Sequence, residues 1–131
     1  MENRYLFRGK RIDNGEWVEG YLSYPFCTKK GNESYYFYAK DSLGFFCRCV
    51  VDASTICQCT GLKDKNGKLI WENDIVKINN SKVNTVIAFR DFEIICTIPN
   101  EKYYKHRLEY DTEYEVIGNK FDNPELLEVQ E

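Results

Sequence analysis

Apolar and polar residues alternate along most of the chain, which is the pattern of half-buried β-strands. The first strand is predicted in RYLFRG, residues 4–9, and the second in EWVEGYLSY, residues 16–24, with a tight turn at Asp13-Asn14-Gly15 between them. A polar loop is predicted from residue 25 to residue 34. The other strands predicted by the alternation span residues 35–39, 44–51, 54–62, 74–78, 83–89, 92–98 and 114–118.

The predicted fold class is mainly β, because no segment longer than about ten residues follows the helical period over its whole length. The strands from residue 74 to residue 98 should form a meander with a turn at Arg90-Asp91. The length of 131 residues favours a single domain, 1–131, or two subdomains sharing a core, about 1–60 and 61–131. A hydrophobic content of 43% and an aromatic content of 15% exclude a disordered chain.

Charge and terminal sequence limit the partners and the location. The net charge is −3, so no overall basic field would draw the protein to DNA, RNA or anionic lipid. The N-terminus lacks an apolar signal segment, and no stretch approaches the ~18 apolar residues of a membrane span. The sequence therefore predicts a soluble cytoplasmic protein whose six cysteines are reduced thiols.

The stretch TGLKDKNGKLIWENDIVKI, residues 60–78, combines a polar loop, an aromatic residue and acids. Its Asn66-Gly67 pair predicts a type I′ hairpin turn, and its loop charges would then serve only solubility. A phosphate-binding loop is the alternative, but such a loop needs successive glycines that open a helix. Asp74 is predicted to accept a backbone N–H and fix the following bend, and Trp71 to be buried. The loop charges are Lys63, Asp64, Lys65 and Lys68.

A group of four cysteines resembles a zinc site and a pair of acids resembles an acid–base site, but neither is predicted to be one. Cys47-x-Cys49 and Cys57-x-Cys59 would suit zinc, yet residues i and i+2 of a strand lie about 6.6 Å apart, which is too far for two thiolates on one zinc ion. We expect apolar strand side chains and no metal. The paired acids Glu72 and Asp74 lack a partner with an altered pKa nearby, so they predict no acid–base site.

His106 is the only histidine, so histidine-dependent catalysis would have to use it. It lies in the charged stretch KYYKHRLEY, residues 102–110, and is predicted to be a solvated side chain. The same stretch could grip nucleic acid, but the acidic run EYDTEYE follows it, which favours a protein-facing surface or a plain solvated loop. The residues that would contact nucleic acid are Lys102, Tyr103, Tyr104, Lys105, His106 and Arg107.

Ten tyrosines and eight phenylalanines are more than the core of a small barrel holds. Tyrosine supplies large contact area at low entropic cost, so exposed tyrosines favour a protein interface. Several members of the following group are predicted to reach the surface: Tyr35, Tyr36, Tyr38, Tyr103, Tyr104, Tyr110 and Tyr114.

Three segments carry a family resemblance: YLFRGKRIDNGEWVEGYL near the N-terminus, residues 60–78, and EVIGNKFDNPELLE, residues 115–128. They resemble the YopX family of small proteins encoded by phages and prophages. The resemblance implies a mainly β fold with an SH3-like barrel portion, which we place in residues 61–131, and it implies no mechanism.

Two positions in these segments carry local predictions. The family usually has Gly-Asp before its Ile-Val pair, whereas this chain has Asn73-Asp74. Asn is the best substitute for glycine in the left-handed region, which predicts a positive φ at Asn73. Asn123 is predicted to cap a short C-terminal helical turn that begins at Pro124.

The sequence thus predicts a non-catalytic protein-interaction module of a phage or prophage, acting in the host cytoplasm through a protein partner or a second copy. The alternative is a nucleic-acid-associated accessory protein, a hypothesis that rests on fold analogy. An enzyme is the least supported class. No catalytic, cofactor-binding or metal-binding residue is predicted.

Overall fold

The computed structural model describes residues 6–27, 33–40, 46–99, 101, 105–109 and 111–128. The chain divides into two compact units, Met1–Cys59 and Thr60–Glu131. Its described helices are two short 3-10 turns, Ala53–Thr55 and Pro124–Leu127. No helix in the described ranges has the length and apolar character that crossing a membrane requires.

The strands that the alternation predicted in the first unit form an antiparallel sheet. The order of its strands is β4-β3-β2-β1-β5, and β5 continues into the second unit, where β6 (Leu69–Trp71) adds a sixth strand to the sheet. Gly15 has a φ of +71°, which confirms the predicted tight turn between the first two strands. The strands are β1 (Phe7–Lys10), β2 (Trp17–Cys27), β3 (Glu33–Lys40), β4 (Phe46–Val51) and β5 (Cys57–Lys63).

Both ends of the predicted polar loop are strand instead, because β2 runs through Pro25 to Cys27 and β3 begins at Glu33. Residues 28–32 of the predicted loop lie outside the described residues. Beyond Gly20 β2 pairs with β3, and the register shifts between Leu22 and Pro25. A proline without an N–H is tolerated at such a bulge. Residues 54 and 55, predicted as extended, belong to the 3-10 turn, which Asp52 caps by accepting from the backbone N–H of Ser54.

The second unit contains a five-stranded antiparallel sheet in the order β10-β9-β8-β7-β11. The central strands form the predicted meander. Among the described residues neither sheet of the chain closes on itself, so the SH3-like barrel stays a prediction. The five strands of this sheet are β7 (Asp74–Ile78), β8 (Thr85–Arg90), β9 (Glu93–Thr97), β10 (His106–Arg107) and β11 (Tyr114–Asn119), whereas β6 (Leu69–Trp71) pairs with β5.

Apolar residues of the second unit's strands pack into a common core, which explains why apolar and polar residues alternate along these strands. Trp71 is buried, as predicted. Tyr114 is only 3% exposed, so it is not one of the tyrosines that reach the surface. Its ring fills the core, and its hydroxyl accepts a hydrogen bond from the backbone N–H of Glu109. The buried cluster comprises Ile70, Val76, Ile87, Cys96 and Tyr114, with Leu62, Ile78, Ile94, Leu108 and Val116 packed against it.

The C-terminal helical turn begins at Pro124, as predicted, but Asn123 does not cap it through its side chain. The side-chain oxygen of Asn123 instead accepts from the backbone N–H of Asn119 at 3.2 Å. The amide group of Asn123 also packs against Gly118, where an added Cβ would lie 2.5 Å from the Asn123 Oδ1 atom. Asn123 therefore joins the end of β11 to the turn.

Candidate functional site

The loop between β5 and β6 is longer than a type I′ turn. Of its Asn-Gly pair only Gly67 has a positive φ, +82°. The Asp64 N–H donates to the Lys68 carbonyl at 2.7 Å, and the Gly67 N–H donates to the Asp64 carbonyl at 3.0 Å. The connection is therefore a three-residue loop whose last residue is left-handed, which is the next commonest hairpin type. The predicted two-residue turn was wrong.

Asp64 is buried at 7% exposure, so its charge does not serve solubility as predicted. Its Oδ1 atom accepts from the backbone N–H groups of Asn66 and Lys68, each at 2.9 Å. Its Oδ2 atom accepts from the N–H of Val116 in β11 at 3.1 Å. Burial favours a higher pKa for Asp64, but these three donors and the nearby charge of Lys68 lower the pKa below its ordinary value.

The loop also covers the outer edge of β11. Besides the bond from Asp64 to Val116, the Lys65 N–H donates to the Tyr114 carbonyl at 2.8 Å. An edge strand leaves backbone groups unpaired, and covering them prevents pairing with another chain. The polar loop that resembles a phosphate site therefore has a structural role.

The bend between β6 and β7 forms as the sequence predicted. Asn73 has a φ of +70°, and Asp74 is buried and accepts from the Trp71 N–H at 2.8 Å. The Asn73 N–H donates to the Ile87 carbonyl at 2.8 Å, and its own carbonyl accepts from Lys120 at 3.0 Å. The carboxylate of Asp74 thus holds a backbone bend.

Three cysteines of the first unit have described side chains, and all three are buried strand residues. Cys49, Cys57 and Cys59 are all buried and are not in disulfides. The Cys57 thiol donates to the Thr55 carbonyl at 3.2 Å. Among the described residues no three His, Cys, Asp or Glu side chains are grouped as metal ligands would be. The side chain of Cys47 lies outside the described residues, so the absence of zinc stays a prediction.

His106 is half-buried in the short strand β10 and is not the solvated side chain that was predicted. Its Nε2 atom lies 3.2 Å from the Tyr114 hydroxyl, and the two rings meet edge to face with centroids 6.1 Å apart. Pairing of β10 with β9 places His106 opposite Cys96. The histidine therefore packs on the core of the second unit.

The described basic residues of the predicted nucleic-acid stretch share one carboxylate. The Lys105 ammonium lies 3.0 Å from Glu93 Oε2, and the Arg107 guanidinium donates to Glu93 Oε1. Hydrogen bonds from Lys105 and Arg107 lower the pKa of Glu93. Residues 102–104 lie outside the described part of the chain. Two cationic side chains and one carboxylate therefore lie next to each other on the second unit.

Beside these charges lies an open groove of about 480 Å³. Its apolar part consists of Leu62, Ile94 and Leu108, which are half-buried and pack on the core. Thr60, Glu93 and Arg107 form its polar part, and the aromatic ring of Phe92 also lines it. The lining residues are Thr60, Leu62, Phe92, Glu93, Ile94, Arg107 and Leu108.

Phe92 is a lining residue of this groove that the sequence reasoning missed. The β8–β9 turn consists of Asp91 and Phe92, with φ values of +51° and +65°, because Arg90 pairs with Glu93. Such turns favour Asn and Gly, and a bulky residue with positive φ is an outlier. The Phe92 side chain is fully exposed, with a relative exposure of 112%. In the sequence it is indistinguishable from the first residue of a strand.

The predicted tyrosine patch is described only in part. Tyr38 is exposed, as predicted. Tyr114 is buried in the core. The side chains of Tyr35, Tyr36, Tyr103, Tyr104 and Tyr110 lie outside the described residues.

These features define a mainly β protein of two units that exposes an aromatic hairpin tip beside a partly apolar groove. The family model described as YopX protein matches residues 6–128. The chain belongs to the YopX family, which confirms the resemblance seen in its sequence. No curated protein matches the chain.

Proposed function

We propose that this chain is a non-catalytic protein-interaction module that acts in a phage or prophage context. Its binding surface is the Phe92 surface, which we define as Phe92 with the groove residues Leu62, Ile94 and Leu108. The observation that carries the proposal is the full exposure of Phe92 in a left-handed turn.

The energetics of Phe92 favour binding over folding as its role. A left-handed conformation costs an L-residue roughly 1–2 kcal/mol, and a fully exposed ring gains no burial in return. Burying a Phe side chain against a partner would contribute about 1.5–3 kcal/mol. Aromatic residues in the centre of interfaces carry much of the binding energy. The residue therefore suits a contact with another molecule.

The charges beside the groove support a protein partner over nucleic acid. Lys105 and Arg107 share the carboxylate of Glu93, and the whole chain carries a net charge of −3. Nucleic-acid binding depends on cations that are available to phosphates. Mixed charges beside an apolar groove are typical of the polar rim of a protein interface.

Site-specific photocrosslinking tests the proposal. A photoreactive phenylalanine analogue is placed at position 92 and, as the matched control, at Val83, another exposed apolar residue of the second unit. The expected result is a crosslink from position 92 to a protein, with little product from position 83. Crosslinks to nucleic acid, or equal yields from the two positions, would overturn the proposal.

A further inference from the structure

The Phe92 surface carries a protruding ring and a groove side by side. We propose that the molecule filling the groove is a second copy of this chain, related by a two-fold axis, so that Phe92 of each copy enters the groove of the other. This inference rests on the proposed function, because it names the partner of the same surface.

The shape of the surface meets the requirement of two-fold association. A two-fold interface uses the same patch on both copies, so the patch must contain both the inserted group and its receptor. Phe92 lines the groove, yet its ring is fully exposed, so it does not fill its own groove. The receptor residues Leu62, Ile94 and Leu108 lie in the same unit, on β5, on β9 and directly after β10.

The charges of the surface are complementary to a copy of themselves. Glu93 lies beside Lys105 and Arg107, and Arg107 remains 67% exposed. A two-fold axis can bring the acid of one copy to the bases of the other, so that opposite charges meet. A strongly acidic or strongly basic partner would instead meet a like charge on this rim, and like-charge contacts are costly.

The area of the surface limits how tightly two copies can associate. A Phe side chain buries about 150–250 Å², so two exchanged rings fall well below the ~1,200 Å² at the low end of stable interfaces. We therefore expect reversible association with a dissociation constant of about 0.1–1 mM.

Sedimentation equilibrium from about 10 µM to about 1 mM measures this association. Phe92→Asn removes the ring and keeps a residue that favours the left-handed turn, so it separates association from folding. It should weaken association at least about tenfold, whereas the control Val83→Ala should leave it unchanged. A wild-type chain that stays monomeric over the range, or an unchanged Phe92→Asn variant, would overturn the inference.

Charge-swap variants distinguish a second copy from any other partner. The charged rim of the surface consists of Glu93, Lys105 and Arg107. Glu93→Arg makes this rim entirely positive, and Arg107→Glu gives it a net negative charge. Each variant should therefore associate with itself more weakly than the wild type does. An equimolar mixture should regain association, since each variant then meets its opposite. A mixture no better than the separate variants contradicts the second copy. Crosslinks from position 92 to a different protein alone would refute this inference and leave the proposed function intact.

Discussion

Asp64→Asn is the substitution that most directly tests how the second unit is held together. The change keeps the size of the side chain and replaces one carboxylate oxygen with an NH2 group. Asp64 accepts two N–H donors at Oδ1 and the Val116 N–H at Oδ2. Whichever way the amide is oriented, its NH2 group must face at least one backbone donor.

The structure indicates a large effect. Hydrogen bonds to a charged group contribute roughly 1.5–3 kcal/mol each, and an unsatisfied buried donor costs about 1–3 kcal/mol. At 7% exposure Asp64 has little water to replace the lost acceptor. The variant loses the acceptor for Val116 and weakens the bonds to Asn66 and Lys68. We expect the free energy of unfolding to fall by about 2–4 kcal/mol at neutral pH.

The loss should depend on pH with a defined sign. The pKa of Asp64 is lowered in the folded state, so the charged carboxylate stabilises the fold. That contribution is fully present above the unfolded pKa of about 3.9, and it is lost as pH falls through the folded pKa. The difference between wild type and variant should therefore stay constant from about pH 5 upward and shrink below about pH 4.

Urea unfolding followed by tryptophan fluorescence measures the effect. Trp71 lies in the second unit and Trp17 in the first, so a Trp17→Phe background assigns the signal to the second unit. Asp111→Asn, at an exposed acid, is the matched control and should change stability little. A loss below about 0.5 kcal/mol for Asp64→Asn, or a loss that persists unchanged in acid, would refute the structural role of this carboxylate.

Four further outcomes are expected. In urea melts Asn73→Gly should be neutral or stabilising and Asn73→Val should cost about 1 kcal/mol or more, and equal stability of the two would contradict the left-handed assignment. Gly118→Ala should destabilise by about 1–3 kcal/mol because its Cβ would meet Asn123, and adding Asn123→Ala should recover part of that loss. Phe92→Asn should raise the free energy of unfolding by about 0.5–1 kcal/mol, since Asn tolerates positive φ; a melt showing a loss would argue against strain. Elemental analysis of protein purified without chelator should find no stoichiometric metal, and one zinc per chain would overturn the assignment of Cys57 and its neighbours.

Local features of this fold were accessible from the sequence, because their causes lie within a few residues. The turn at Gly15, the bend at Asn73-Asp74 and the meander each depend on a residue with a special backbone preference or on alternation within one strand. Asp64 shows the limit of such reasoning. Its bond to Asn66 follows from a local turn pattern, but its bond to Val116 joins residues 52 positions apart and has no local signal.

The β8–β9 turn shows how a small error in register hides a candidate site. The sequence predicted a turn at Arg90-Asp91, and the structure places it one residue later. Because side chains in a strand alternate between faces, a shift of one residue changes which side chains are exposed. Phe92 was predicted as the first residue of a strand, whereas in the structure it lies at the tip of the hairpin. No composition or charge pattern in the sequence marks that change.

Asn73 and Phe92 have nearly the same φ, +70° and +65°, and different roles follow from their side chains and contacts. Asn73 is a residue type that tolerates this conformation, and both its N–H and its carbonyl are hydrogen-bonded within the second unit. Its geometry is explained by the fold. Phe92 is a residue type that does not suit this conformation, and its ring is fully exposed. Strain that folding does not explain is a reason to look for a partner, and the adjoining groove supplies a surface where that partner would bind.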